Sequence, residues 1–291
     1  VSVFLLNRSS DLAIISSKAD FCQIFTAQVF NRDLDAVERS IVDRCVRQMY
    51  AKYTQSLEDK YGFTKPQPPT LKTFWEELKS QNETQAKNLA TGIEMYVTGS
   101  YDLFSGQSTV DIRNRMTVYN ILETEETIKP VAMLVILESL WDKIIDNFRA
   151  GKRTWVWIDE IYLLFQDEYC AKFLYELFKR ARKYGAIITG ITQNVEDLLN
   201  SNTARTMLSN SEFIYMLAQS ENDKLQLGEL LHLSEEQMSY LSNAERGSGL
   251  LYNGNNIVIP FEDQFPKHTR LYEAMTTDFE ERQRIKEGRR L

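Results

Sequence analysis

Apolar positions along the chain recur first at helical spacing and then in short unbroken runs. Residues 1–6, apolar apart from Ser2, read as a strand, with a helix following near 19–30. Asp33 and Asp35 offer N-caps for a long helix reaching about Lys60, along which Val37, Ile41, Cys45, Met49 and Tyr53 fall on one face. Gly62 and the run Pro66-Gln67-Pro68-Pro69 stop that helix, and helical patterns resume from Thr70 to about Val97. Residues 33–100 therefore read as all-helical. Beyond them the pattern alternates: a strand at 116–121, a helix at 131–148, a strand at 154–158, a helix at 168–184, a strand at 186–191, short helices, and a strand at 213–217. Apolar strands alternating with helices predict a parallel sheet covered on both faces, hence an α/β domain carrying a helical insertion. Runs at 249–252 and 257–260 flank Asn253-Gly254, a hairpin turn signal. The tail 276–291 alternates Glu and Arg and reads as a solvated helix.

Composition narrows the function classes. The 291 residues carry 34 Lys+Arg against 41 Asp+Glu, a net charge of −7, which argues against a duplex-DNA binder held by phosphate contacts. Aromatic residues at 11% exclude general disorder. Three cysteines (Cys22, Cys45 and Cys170) without a CxxC pair, and only His232 and His268, give neither a disulfide framework nor a zinc-site spacing, so buried cysteines are expected. No apolar run approaches a bilayer span, and the start has no basic n-region.

Three segments carry chemistry. In Trp155-Val156-Trp157-Ile158-Asp159-Glu160 an apolar strand, expected to be buried, ends in two carboxylates. Ligands in open parallel sheets bind beyond the carboxyl ends of strands. An Asp there can hold Mg²⁺ through water, and a Glu beside it can polarise an attacking water, the arrangement of a Walker B motif. The alternative is that both acids cap the next helix. About one helix and loop later, the strand at 186–191 leads into Thr192 and Gln193, expected on the same sheet edge as Asp159. A Gln there can orient water or sense a γ-phosphate; it can equally cap the following helix. Lys179-Arg180-Ala181-Arg182-Lys183-Tyr184-Gly185 fits a helix C-terminus closed by glycine, or an arginine finger serving a neighbouring subunit. Arg246-Gly247-Ser248-Gly249 is a further, less specific candidate for approach to phosphate. No stretch matches G-x-x-x-x-G-K-[ST], and the twelve glycines are scattered, so no phosphate cradle is visible.

From about Asp33 to Thr277 the chain resembles the C-terminal ATPase domain of conjugative-transfer, type IV secretion motors of the VirB/TrwK kind, in particular the versions in conjugative elements of Gram-positive bacteria. The matching segments, in order, are ERSIVDRCVRQMY, GIEMYVTGSYDLFSGQSTVDIRNRMTVYNI, WIDEIYLLF, FKRARKYGAIITGITQNVEDLL, NSEFIYML, RGSGLLYNG and FPKHTRLYEAMTT. The resemblance implies a RecA-like P-loop NTPase core with a mostly parallel sheet and an inserted all-helical subdomain. Residues 1–32 would be the opening strand and helix of the core, 33–105 the helical subdomain, 106–275 the core and 276–291 the tail. It implies ATP and Mg²⁺ as cofactors, Asp159 as the Mg²⁺-organising residue and Glu160 as catalytic base. Thr192 and Gln193 would stand beside the nucleotide, Arg180, Arg182 and Lys183 near a subunit boundary, and Arg246 in a late glycine-rich motif.

In the family the Walker A loop precedes the long helix. The expectation is therefore that this loop lies ahead of Val1, that the 291 residues alone hold no nucleotide tightly, and that they do not turn it over. Expected partners are copies of the chain in a ring, channel proteins and other conjugation ATPases at the cytoplasmic face of the bacterial membrane. Single-stranded DNA is not indicated by the charge. A DNA-pumping coupling protein, a HerA/FtsK-like translocase and a non-catalytic interaction module are the alternative readings.

Overall fold

Local hydrogen bonds set the first helices. The computed structural model describes residues 11–58, 67–107, 114–121, 124–125, 127–193, 195–242, 244–254 and 257–287. Helix α1 (Asp11–Phe30) ends at Asn31, whose left-handed φ of 47° turns the chain. Helix α2 (Ala36–Glu58) starts in a reciprocal cap: the Asp35 carboxylate accepts from the N–H groups of Val37 and Glu38, and Glu38 accepts from the Asp35 N–H at 3.0 Å. Asp33, the other expected cap, instead accepts from the Tyr169 hydroxyl at 3.2 Å. Helix α3 (Leu71–Ser80) opens on a Thr70–Thr73 capping box, and α4 (Thr84–Ile93) follows. Phe25, Tyr50, Phe74, Leu78, Leu89 and Ile93 from these four helices are fully buried together. The same core takes in Val131, Leu134 and Val135 of α5 (Lys129–Arg149). Cys22 and Cys45 sit in it as small buried residues, and Cys170 is buried as well.

The strand expected at 1–6 lies outside the described residues. The one expected at 116–121 does not form: these residues are irregular, with Met116 and Val118 exposed. Their alternation fits a strand, but no neighbouring strand is there to pair with them among the described residues.

The parallel sheet is built by β1 (Thr154–Ile158), α6 (Glu168–Ala181) and β2 (Ala186–Gly190). β1 and β2 pair in parallel from Thr154 opposite Ala186 to Ile158 opposite Gly190. Helix α6 turns Cys170, Ala171, Leu174, Leu177 and Ala181 inward at helical spacing. Burial of this sheet is one-sided, contrary to the expectation of cover on both faces. Val156 is buried, whereas Trp155 and Trp157 remain 59% and 64% exposed beside Ile187. Strand residues alternate between faces, and within the first unit only the Val156 side is covered.

The chain divides into two units, residues 1–191 and 192–291. The second unit contains α7 (Val195–Leu199), α8 (Asn202–Ser209), β3 (Phe213–Met216), α9 (Glu221–Leu231), α10 (Glu235–Ser242), β4 (Ser248–Asn253), β5 (Ile257–Glu262), α11 (Arg270–Met275) and α12 (Phe279–Lys286). The run at 213–217 was expected as one of the parallel strands. β3 instead pairs antiparallel with β4, and β4 with β5 across the expected hairpin. A strand's own apolarity does not specify its partner's direction, and here the hairpin supplies the neighbour. Met216, Leu250, Leu227, Leu231 and Leu241 form the core under this sheet. α12 buries none of its residues, as its alternating charges predict.

Gly249 lets β4 approach β3: a Cβ there would run into the Met216 carbonyl oxygen, a backbone atom that cannot swing aside. Gly249→Ala is therefore expected to destabilise the second unit by about 1–3 kcal/mol, the usual range for overpacking. The change is read as a lower unfolding midpoint with β3 and β4 amides losing exchange protection first.

Candidate functional site

Asp159 and Glu160 stand at the carboxyl end of β1, where the chain stops pairing as a strand. Asp159 is exposed and its Oδ1 accepts from the Glu160 N–H at 3.1 Å. Glu160 is half-buried and adopts a left-handed conformation, φ 46° and ψ 47°. For a residue with a Cβ this costs on the order of 1–2 kcal/mol, so something in the turn must hold it. Two hydrogen bonds do so from either side: the Ile191 N–H donates to the Ile158 carbonyl at 2.8 Å, and the Ile161 N–H donates to the Ile191 carbonyl at 3.0 Å. The turn after β1 is thereby tied to the first residue beyond β2.

Gly190 is a positioning residue that sequence reasoning missed. A Cβ on it would sit 2.7 Å from Ile161 Cδ1, so the glycine leaves room for the buried Ile161 side chain to fold over the end of β2. The available signal was a glycine inside an apolar strand, which marks close approach.

The helix-capping alternative for the two acids is not realised. Residues Ile161–Gln166 form a 3-10 segment whose N-cap, Glu160, makes no side-chain cap bond. The next α-helix, α6, is capped by Asp167, whose Oδ1 accepts from the Cys170 N–H at 2.8 Å. Asp159 and Glu160 thus project at a strand tip without a capping task.

Thr192 and Gln193 follow Ile191 directly along the chain and open the second unit. The basic motif lies elsewhere in the first unit. Arg180 closes α6 and pairs with Glu176 one turn earlier at 2.8 Å; Arg182 and Lys183 lie exposed in the 3-10 turn after it. Gly185, at φ 61°, closes that turn as a C-terminal glycine should. Tyr184 anchors the turn edge-on against Trp141 and Phe148 of α5, at 5.1 and 5.6 Å between ring centroids. The turn feeds the start of β2, and the Thr154 N–H donates to the Gly185 carbonyl at 3.3 Å. Arg182 and Lys183 are therefore at the amino end of the sheet and the acids at its carboxyl end. Five strand residues separate the two edges by roughly 16 Å. Arg246, in the second unit, is almost fully exposed, with its guanidinium 3.7 Å from Asp278.

The donors at the β1 tip are carboxylate oxygens, the chemistry Mg²⁺ takes. One Asp159 oxygen is engaged by backbone and the other is left for a metal-bound water. No cluster of three or more His, Cys, Asp or Glu side chains able to hold a metal exists among the described residues. The tip therefore suits an ion that keeps its waters and takes further oxygens from a phosphate, not one enclosed by protein.

A family model described as the TraG P-loop domain matches residues 30–288. Among solved structures, VirB4 of Thermoanaerobacter pseudethanolicus superposes with a TM-score of 0.71 at 23% sequence identity, over 91% of this chain and 72% of that one. No curated protein matches. The helices and parallel sheet described above thus share the fold of that protein, as the resemblance implied. With the model extending over most of its length, the chain belongs to the TraG P-loop domain family.

Proposed function

We propose that the chain is the motor part of a type IV secretion or conjugation ATPase, which hydrolyses ATP with Mg²⁺ to energise conjugative transfer. The observation carrying this reading is the β1 tip, where a strained Glu160 next to Asp159 is held by backbone bonds to Ile191 while Asp167 does the helix capping. In this reading Asp159 accepts hydrogen bonds from water on the ion. Glu160 takes the proton of the attacking water, and Gln193 orients that water with Thr192 beside it. When bound, Mg²⁺ neutralises phosphate charge.

The separation of the basic motif from the acidic tip favours assembly. Arg180, Arg182 and Lys183 lie at the far end of the sheet from their own Asp159, so any action on nucleotide is on a neighbouring copy's. A ring of copies would bring one subunit's basic edge to the next subunit's acidic edge. Arg246, held only by an exposed ion pair, is a further phosphate contact in this reading. Channel proteins and other conjugation ATPases are the proposed partners at the cytoplasmic face of the membrane. No helix of the described residues is long and apolar enough to cross it. The phosphate cradle is proposed to come from a Walker A loop outside the 291 residues, which alone would bind ATP weakly.

The test uses the protein with its phosphate-binding loop. Asp159→Asn is expected to lower ATP hydrolysis by two orders of magnitude or more at low Mg²⁺, with partial recovery as Mg²⁺ rises. Hydrolysis indifferent to this change at every Mg²⁺ concentration would end the motor reading. Mixing Asp159→Asn subunits with Arg182→Ala subunits is expected to restore part of the activity if the arginine serves the neighbouring copy. Micromolar ATP binding with Glu160-dependent turnover by the 291 residues alone would refute the need for an outside loop.

A further inference from the structure

The carboxylate proposed as base sits on backbone that does not hold its shape unaided. Glu160 is left-handed at φ 46° and ψ 47°. A return to right-handed values would swing φ through about 100° and carry the side chain to another side of the turn. Two backbone bonds of Glu160 are local: its N–H donates to Asp159 Oδ1 at 3.1 Å, and its carbonyl accepts from the Leu163 N–H at 3.0 Å. Asp159 and Leu163 belong to the same turn and would move with it. The bonds that fasten the turn to another strand flank Glu160. The Ile191 N–H donates to the Ile158 carbonyl, and the Ile191 carbonyl accepts from the Ile161 N–H.

The Ile161 side chain adds a steric fastening at the same place. It is 2% exposed. A Cβ at Gly190 would lie 2.7 Å from its Cδ1, 3.2 Å from its Cγ2 and 3.5 Å from its Cβ. One whole side of the isoleucine therefore rests on bare backbone at the end of β2. A residue branched at Cβ is stiff at χ1, so a pinned side chain also fixes the backbone that bears it. The peptide joining Glu160 to Ile161 is thereby held at its far end. Leu164, three residues on in the same 3-10 segment and 8% exposed, is buried too but does not adjoin Glu160 in sequence. It separates core packing from aiming.

We infer that Ile161 is a positioning residue for the proposed hydrolysis: seated on Gly190, it holds the Glu160 turn in its left-handed form and so aims the carboxylate. The inference rests on Glu160 acting as the base. It also means that the base shifts together with Ile191, which leads directly into Thr192 and Gln193.

The experiment measures hydrolysis by the protein with its phosphate-binding loop. Ile161→Ala is expected to lower kcat about 10–100-fold, the scale of a misplaced catalytic group, with KM for ATP within about twofold of the parent. Ile161→Val keeps the branched Cβ and is expected to recover most of that loss. Leu164→Ala is expected to lower the unfolding midpoint while changing kcat by less than about twofold. In a Glu160→Gln background, Ile161→Ala is expected to cost no further activity, because no base is left to aim. A second arm reads hydrogen exchange in the 291-residue chain. Gly190→Ala, which removes nothing from the core, is expected to speed exchange of the Ile161 and Ile191 amides together by about tenfold or more. Gly190→Ala with Ile161→Val, which takes away the clashing Cδ1, is expected to restore part of their protection. This arm stands even where Ile161→Ala does not fold. Equal kcat losses from Ile161→Ala and Leu164→Ala, an undiminished loss in the Glu160→Gln background, or parental exchange in Gly190→Ala overturns the inference. Hydrolysis unchanged by Glu160→Gln removes the base assignment and the inference with it. Loss in Glu160→Gln beside a fully active Ile161→Ala overturns this inference alone.

Discussion

Turnover by the protein carrying its phosphate-binding loop is expected to fall about 10²–10⁴-fold on Glu160→Gln, the range general-base catalysis contributes. Glutamine keeps the shape of the side chain and the left-handed backbone at φ 46°, so stability and ATP affinity are expected to stay near the parent's while proton acceptance is lost. Glu160→Gly supplies the complementary reading. Glycine takes a left-handed conformation without the cost to a Cβ, a gain of about 1–2 kcal/mol that its greater unfolded-state freedom offsets by about 0.4–1 kcal/mol. That variant is expected to be as stable as the parent or slightly more so, yet inactive. Single-turnover hydrolysis, nucleotide binding and thermal unfolding on the three proteins separate the roles. Hydrolysis unchanged in Glu160→Gln discards the base assignment. Joint loss of stability and nucleotide affinity in that variant assigns Glu160 a structural role.

Lys18→Ala is expected to cost about 3–5 kcal/mol of stability, the penalty for stranding a buried charge. Lys18 is 2% exposed, and its ammonium donates to Glu138 at 2.8 Å and Asp142 at 2.9 Å, joining α1 to α5 inside the first unit. Burial pulls its pKa down, but the two carboxylates more than offset this and hold it above its ordinary value. Removing the cation leaves two carboxylates facing each other in a poorly solvated place. Lys18→Met combined with Glu138→Gln and Asp142→Asn is expected to recover much of the loss, because the neutral set strands no charge. Equilibrium urea unfolding reads both, and a Lys18→Ala protein within 1 kcal/mol of the parent would show that water reaches the cluster freely.

The pH dependence has a definite sign. Burial pushes the Asp142 carboxyl up from 3.8 to about 6, against the pull of Lys18. The folded state then binds this proton more tightly than the unfolded state does. Its contribution favours folding below the unfolded value and is lost as pH rises from about 4 through 6. The parent is expected to gain stability relative to Asp142→Asn on going from pH 7 to pH 5, and a flat difference would place Asp142 in water.

What could be read from the sequence was local. The strand ending in Asp159-Glu160, Gly185 closing the basic turn, and the cap at Asp35 each depend on neighbours a few residues away, and each is found, although the strand leaves Trp155 and Trp157 exposed where burial was expected. The Lys18 cluster escaped notice because its partners lie 120 and 124 positions along the chain, a separation no periodicity reports. The pairing of β3 was missed for a related reason: Phe213–Met216 looks the same from within whether its neighbour runs parallel or antiparallel. The strand read at 116–121 had the right residue types and lacked a partner. Gly190 could be seen, but not the Ile161 side chain that needs its bareness.

The uncovered side of β1 gives the molecule an optical gauge of its own. Trp155 and Trp157 hold their indoles toward water four and two residues before Asp159. The other two tryptophans are fixed by contacts, Trp75 donating to the Ala90 carbonyl at 3.0 Å and Trp141 lying edge-on to Tyr184. Emission from the first pair should therefore be red-shifted and open to collisional quenching by iodide. Any segment that settles on that side would turn it blue and shield it, reporting closure at the strand tip without a label.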